Sequence, residues 1–506
     1  MAALIYFTLI VYNSVTRTGR FSPDSMNYVN VARNIAAGKG ITQPTLGFNQ
    51  PRFGLDDKPP SPFTAQAPLY PIMIALVSRT GLAPEHGALL LSSVAYGIVF
   101  LLVHALAAAL YNQNVALTAV SVLLFYEPLR WIADFAWTDG IGTALMLLAL
   151  WLLASPRRDR WFLLCAGLAT GLAFATRYAF LPLFFAGAVF LLITSQPWRC
   201  KLIDASLYAF GGAIPAGLVW GRNLLVSGAV MPSFLNDNSP FVGNAMSVFR
   251  ALFEDYSGVI SSPLPFVLLG LSLVAISLSP MARHGLGRHL REIVLSQRRS
   301  ILLVWVAAFL GFLIVGRSYS HFDIDARVVA PAGVVMIVLW SVFALQAVRI
   351  PGRWISLLAL SLLALGIWRE ARVTARTPPF DLQEIVRSSE QLTWIANYTS
   401  NQDLIIGDDT IDIPFYLQRE ATVSFSPYPY TEYPTYEKII AYARKHCGEY
   451  RKIYLVLHRS DRREQEYRSR YGEFFTDIMY GRVEKYPEII VVRHLGNGSI
   501  HKIECD

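Results

Sequence analysis

About eleven apolar runs, most separated by gaps of a few residues, constrain this 506-residue chain more than any motif does. They lie at about 1–13, 87–111, 115–132, 138–154, 161–175, 178–195, 202–227, 260–279, 301–316, 328–348 and 354–368. A helix needs roughly 17–25 apolar residues to cross a bilayer. The shorter runs fit tilted helices, or segments that dip into the protein without spanning. Charged residues make up 16% of the chain and the mean hydropathy is +0.39, against about 25% charged residues in an ordinary soluble domain. A polytopic α-helical membrane protein with about 11 transmembrane helices is expected. The first run has no basic residue before it, Arg17 and Arg20 after it, and no small-residue cleavage site. It is read as the first span, with the natural start left open to lie upstream.

The gaps 155–160, 196–201, 280–300 and 349–353 are basic, and all four fall on one side if the spans alternate. The positive-inside rule makes that side cytoplasmic. Residues 16–86, 228–259, 317–327 and everything after about 371 then lie outside. The net charge of +8 and pI near 9.2 therefore report topology, and nucleic acid is not an expected partner. In the long outer loop 16–86, one helix is expected at about 24–37, with Asp24 as N-cap and Gly38 and Gly40 ending it. Its Tyr28, Val31 and Ile35 recur at helical spacing, which suits a helix lying on the membrane surface. Residues 41–68 read as irregular loop.

From about 371 the composition shifts to alternating helices and short strands, which predicts a soluble α/β domain over 371–506 with a largely parallel sheet. The transmembrane domain is expected over 1–370. No Gly-rich phosphate loop is present, so nucleotide binding is not indicated. Cys165, Cys200, Cys447 and Cys505 lack metal-ligand spacing. Cys447 and Cys505 could pair if their domain faces an oxidising compartment, although the sequence does not fix their distance. The sequons at Asn397 and Asn497 matter only in a secretory lumen.

Several outer-side residues carry candidate chemistry. Asp24 could act as a general base beside the lipid boundary, a role compatible with capping a helix. Asp134 and Asp139, near the outer ends of the third and fourth runs, are either solvated loop residues or functional acids. Burying either one costs several kcal/mol unless it is paired. Arg177, Arg222 and Arg327 are outer-side cations against the usual bias. They suit a lipid phosphate, through bidentate hydrogen bonds, or interhelix salt bridges to neighbouring acids. His321, Asp323 and Asp325 could hold a metal, but their spacing matches no strong motif. No metal site is assigned and no cofactor is firm, with a divalent cation left open.

Taken in order along the chain, these motifs resemble the C-type (GT-C) glycosyltransferase superfamily, in the branch of the protein O-mannosyltransferases and aminoarabinose transferases. The carriers are Asp24 and Tyr28 followed by Ala32 to Gly38, then Ala67-Pro-Leu-Tyr-Pro71, Thr138-Asp-Gly140, Thr176-Arg177 with Leu181-Pro182, and Arg327 with Pro331. The resemblance covers about 1–370. One departure concerns the Lys-Pro-Pro of many relatives, whose Lys contacts donor phosphate. Here that place holds Gln66-Ala67-Pro68, and a Lys-Pro-Pro occurs earlier, at Lys58-Pro59-Pro60. Lys58, Arg177, Arg222 and Arg327 are therefore the candidate phosphate ligands.

The resemblance implies a polyprenyl-phosphate sugar lipid as donor and an extracytoplasmic acceptor that is a glycan, lipid or protein. Asp24 would be the base of an inverting transfer, with Asp139 and Asp134 as further acids. The expected location is the bacterial inner (plasma) membrane. The alternative is a transporter or flippase of lipid-linked sugar without transferase chemistry. Such proteins place polar groups near the bilayer midplane, often within repeats, whereas here no repeat is found and the polar candidates cluster on one side.

Overall fold

The structure is a computed structural model. It describes residues 1–47, 54–155, 159–230, 241–252, 298–319, 324–348, 352–407, 410–420, 422–424, 435–458, 472–479, 482–495 and 498–505. Among the described residues, fourteen α-helices occupy the N-terminal part. They are α1 (Ala2–Thr16), α2 (Pro23–Ala36), α3 (Leu69–Ser78), α4 (Pro84–Leu110), α5 (Gln113–Leu123), α6 (Glu127–Asp134), α7 (Asp139–Ala154), α8 (Arg160–Thr176), α9 (Pro182–Leu192), α10 (Trp198–Ser227), α11 (Phe241–Ala251), α12 (Ser300–Tyr319), α13 (Ala326–Val348) and α14 (Gly352–Arg376).

Among the described residues, five helices are long and apolar enough to cross a membrane: α4, α10, α12, α13 and α14. A sixth crossing results if α5 and α6 count as one span bent by 63°. The expected run 115–132 breaks there because Pro128 sits in the first turn of α6, where its missing N–H is harmless but continuation from α5 is not. The expected spans at 1–13, 138–154, 161–175 and 178–195 appear as shorter apolar helices of the same bundle. The expected span at 260–279 lies outside the described residues. Leu357, Leu358, Leu360 and Leu365 on α14 are exposed, as a lipid-facing surface requires. Helices α8 and α10 touch backbone to backbone. Gly167 and Gly171 leave no room for a Cβ against α10, and such close approach through small residues is how membrane helices gain packing without a hydrophobic drive.

One end of the bundle is stapled by a buried polar network. Arg130 on α6 binds Glu370 on α14 through Nε to Oε1 at 3.3 Å and Nη2 to Oε2 at 3.2 Å, and binds Asp134 Oδ1 at 2.6 Å. Asn13 on α1 donates to Glu370 Oε2 at 2.8 Å, and Thr18 donates to Asp134 Oδ1 at 2.8 Å. The first helix, the bent pair and the last long helix are thereby fixed to one another.

The outer loop and the C-terminal region share one sheet. From the loop only β2 (Thr45–Gly47) joins it, while β1 (Thr42–Gln43) and β3 (Ser61–Pro62) pair with each other in a separate two-stranded ribbon, so the loop is not irregular throughout. Beyond α14 come α15 (Leu382–Ser388), α16 (Glu390–Tyr398), β4 (Leu404–Gly407), α17 (Asp412–Leu417), β5 (Thr422–Ser424), α18 (Tyr436–His446), β6 (Ile453–His458), α19 (Gly472–Met479), β7 (Ile489–Leu495) and β8 (Gly498–Ile503). The sheet order is β2-β5-β4-β6-β8-β7. The first four strands are parallel, and β8 and β7 continue antiparallel. Residues of α16 and α17 pack on one face of this sheet, and those of α18 and α19 on the other, which is the layering of an α/β sandwich. A disulfide joins Cys447, just after α18, to Cys505, just after β8.

The staple gives a prediction. Glu370→Ala leaves Arg130 with fewer partners at a buried site, and breaking such a pair from one side costs about 3–5 kcal/mol. Thermal unfolding in detergent should show a clear loss for Glu370→Ala, and a smaller one when Arg130→Met is added.

Candidate functional site

Asp24 lies in the first turn of α2, and the helix N-cap is Ser22 rather than Asp24. Ser22 Oγ accepts from the Ser25 N–H at 3.3 Å, and Ser25 Oγ accepts from the Ser22 N–H at 3.2 Å. This reciprocal box satisfies the end of the helix and leaves the Asp24 carboxylate free to serve elsewhere. The helix does not lie open on a membrane surface. Its Val29, Val31 and Ala32 are fully buried, in a cluster with α3 and α4 residues and Phe415 of α17.

Both oxygens of Asp24 are held. Oδ1 accepts from Gln66 Nε2 at 2.8 Å, and Oδ2 accepts from Arg327 Nη1 at 2.9 Å. Arg327 belongs to the first turn of α13, where Asp325 Oδ1 accepts from the Val328 N–H at 2.9 Å. The Arg327 guanidinium lies over the Trp137 ring, 4.6 Å from its centroid, a cation–π contact that fixes its plane. Trp137 also donates its indole N–H to Ser22 Oγ at 2.8 Å. One aromatic side chain thus positions both the cap of the Asp24 helix and the cation facing Asp24.

Asp139 opens α7 and is buried. Its Oδ1 pairs with Nη1 of Arg177, which ends α8. Its Oδ2 and Arg327 Nε lie 4.0 Å apart, both buried and without a hydrogen bond. Two carboxylates and two guanidiniums therefore alternate as Asp24, Arg327, Asp139, Arg177. Burial alone would raise the Asp24 pKa. Arg327 nearby, then Arg177 and the Gln66 hydrogen bond, outweigh it and hold the carboxyl below the usual aspartate value. Burial pushes Tyr28, one helical turn on, well up, so it stays a neutral phenol.

Asp24, Tyr28, Arg327 and Arg177, but not Asp139, line a half-open pocket of about 240 Å³. Asp24, Gln66, Arg177 and Arg327 form its polar wall, and Phe312, Leu313 and Val328 an apolar one. The other expected site residues lie elsewhere. Asp134 belongs to the Arg130 staple. Arg222 donates to the carbonyls of Phe63 at 2.6 Å and Ile41 at 2.7 Å, and so pins the outer loop. Lys58 pairs with Glu449 in the C-terminal region, 2.7 Å away. Gln66, Trp137 and Ser22 were not singled out as site residues from sequence. Among the described residues no three His, Cys, Asp or Glu side chains gather as metal ligands. His321 and Asp323 lie outside the described residues.

Comparison with solved structures places this architecture. The chain is similar to ArnT from Cupriavidus metallidurans in the apo state, at 13% identity and a TM-score of 0.58, over 99% of this chain and 96% of that one. It also matches the same protein bound to undecaprenyl phosphate, at 12% identity and a TM-score of 0.52, with the same coverage. The oligosaccharyltransferase AglB from Archaeoglobus fulgidus, in complex with an inhibitory peptide and a dolichol-phosphate, matches at 13% identity and a TM-score of 0.51, over 90% of this chain and 68% of that one. The fold is the GT-C fold. By sequence, residues 62–220 match the family model described as dolichyl-phosphate-mannose-protein mannosyltransferase. That segment holds Gln66, Asp139 and Arg177, while Asp24 and Arg327 lie outside it. No curated protein matches by sequence. The GT-C fold and the apolar helices make the chain an integral membrane protein.

The alternation of charges is testable. Arg177→Gln leaves the buried Asp139 with Arg327 alone and should lower the unfolding temperature. Adding Asp139→Asn should restore at least about 1 kcal/mol, the coupling expected of residues in one ion-pair network.

Proposed function

We propose that this chain is a membrane glycosyltransferase that moves a sugar from a polyprenyl-phosphate donor to a hydroxyl of an extracytoplasmic acceptor, with inversion at the anomeric carbon. The observation that carries this reading is the pocket where Asp24, Arg327 and Arg177 meet beside an apolar wall. It offers a carboxylate for the acceptor, guanidiniums for a phosphate and apolar surface for an isoprenoid. The bound lipids of the ArnT and AglB matches, undecaprenyl phosphate and dolichol-phosphate, agree in chemistry. The charges lie at helix ends, which favours this reading over a transporter or flippase, whose sites lie near the midplane.

The acceptor oxygen forms a bond to the anomeric carbon while the bond from that carbon to the donor phosphate oxygen breaks. The hydroxyl proton passes to Asp24, and the lipid phosphate leaves. In the phosphodiester donor the phosphate carries one negative charge, and it gains a second on leaving. Protonation of Asp24 cancels the negative partner of Arg327 at that same moment. Arg327 is then free to face the leaving group with Arg177, so stabilisation rises as charge develops. Asp139 sits behind them, paired with Arg177 and 4.0 Å from Arg327.

The basic gaps favour a cytoplasmic position for the opposite end of the bundle, and the Cys447–Cys505 bond suits an oxidising compartment around the C-terminal region. We assign residues 1–370 to the transferase domain and 371–506 to an extracytoplasmic domain that borrows β2 from the outer loop, in a bacterial inner membrane.

The test is transfer from a panel of radiolabelled lipid-phosphate sugars. Asp24→Asn should lower kcat by roughly 10²–10⁴-fold and still bind polyprenyl phosphate. Because the folded-state pKa of Asp24 is depressed, the base is already ionised at neutral pH. Its acidic limb in wild-type kcat/KM should lie below about pH 4, leaving no Asp24-linked loss between pH 5 and 8. Unchanged transfer by Asp24→Asn refutes the assigned base.

A further inference from the structure

The side chain that completes the environment of Asp24 is a neutral amide. Gln66 Nε2 donates to Asp24 Oδ1 at 2.8 Å. An ionised carboxylate only accepts, so the nitrogen end of the amide must face it. The other end, Oε1, is buried and has no hydrogen-bond partner. Leaving such an oxygen unsatisfied is unfavourable, so Asp24, and not the surroundings of Oε1, sets the orientation of the amide.

The backbone behind Gln66 is held from the membrane helices. Tyr178 Oη donates to the carbonyls of Thr64 at 3.3 Å and Gln66 at 3.4 Å. Asn223 Nδ2 on α10 donates to Tyr178 Oη at 2.9 Å. Arg222 next to it holds the carbonyls of Phe63 and Ile41. The segment 63–66 is therefore fixed at three carbonyls, and its one polar side chain in the pocket points at the carboxylate.

We propose that Gln66 is a positioning residue for Asp24, holding the carboxylate plane so that one oxygen faces the acceptor hydroxyl. This rests on the glycosyl-transfer reading above. The two contacts on Asp24 have different consequences. Arg327 carries charge and serves the phosphate as well, whereas Gln66 carries none and contributes orientation and a hydrogen bond to the ionised form. Losing it should leave a base that is still present, less well aimed and easier to protonate.

The experiment compares wild type, Gln66→Met and Gln66→Lys, with Asp24→Asn as the inactive reference and thermal unfolding as a folding control. Methionine keeps the length of the side chain without a donor, and lysine restores an N–H donor. Gln66→Met should lower kcat roughly 10–100-fold, as misplacement of a reacting group does, with little change in KM for the lipid donor. Its acidic limb in kcat/KM should rise by about one pH unit. Gln66→Lys should return that limb to the wild-type position or below it. A purely structural role would lower activity without moving the limb, so a limb unmoved in Gln66→Met overturns the inference, as does one that moves equally in both variants. Wild-type protein that transfers from no lipid-phosphate sugar overturns the glycosyl-transfer reading, and this inference with it.

Discussion

Four alternating charges at one end of the helical bundle have to neutralise one another, and the rest of the site follows from that. A buried carboxylate or guanidinium at the edge of a membrane is tolerable only when paired. Asp139 is the buried member, and it touches Arg177 and faces Arg327 across a 4.0 Å gap. Asp24 is the exposed member, half-buried in the pocket wall and reaching Arg327 from the other side. The set is neutral as a whole, yet its outermost member can take a proton. A proton gained there would turn the site net positive, which suits the anionic leaving group of the proposed transfer.

Each of the four charges comes from a different helix end: α2 for Asp24, α7 for Asp139, α8 for Arg177 and α13 for Arg327. Precise placement therefore depends on the ends of the bundle being locked. The Arg130, Glu370 and Asn13 staple locks α1, α6 and α14. Trp137 locks the start of α2 against α13. The outer loop is locked twice. Arg222 and Tyr178 hold it from the membrane side, while β2 and the Lys58–Glu449 pair hold it from the α/β side. The C-terminal region thus reaches the pocket through the loop that carries Gln66.

Much of the architecture was legible because it follows from hydropathy and local pattern. Within the described residues the apolar runs became helices at nearly the expected places, with the run at 115–132 broken in two, and the C-terminal alternation became an α/β sandwich. The polar residues were readable in kind but not in partnership. Asp24, Arg327, Asp139 and Arg177 were all named, and the structure brings them together. Asp134 and Arg222 had the same local signature, and long-range packing gave them other partners. The one local cue was Arg130 four residues before Asp134 on a single helix, a spacing that marks a pair. Pairing of β2 with β5 joins residues 377 apart (Thr45 and Thr422), and nothing in a two- or three-residue strand announces its neighbour. By pattern alone Asp24 suits a cap, since it is the acid at the start of the helical stretch. The true cap is Ser22, and the Ser22/Ser25 spacing is what distinguishes them.

The most direct measurement is an experimental structure of the protein with bound polyprenyl phosphate. The account predicts phosphate oxygens within hydrogen-bonding distance of both Arg177 and Arg327, with the isoprenoid running along Phe312 and Leu313 and Asp24 open to the remaining space. A phosphate bound instead at Arg222 or Lys58, or at the opposite end of the bundle, with the Asp24–Arg327 pocket empty, would contradict it.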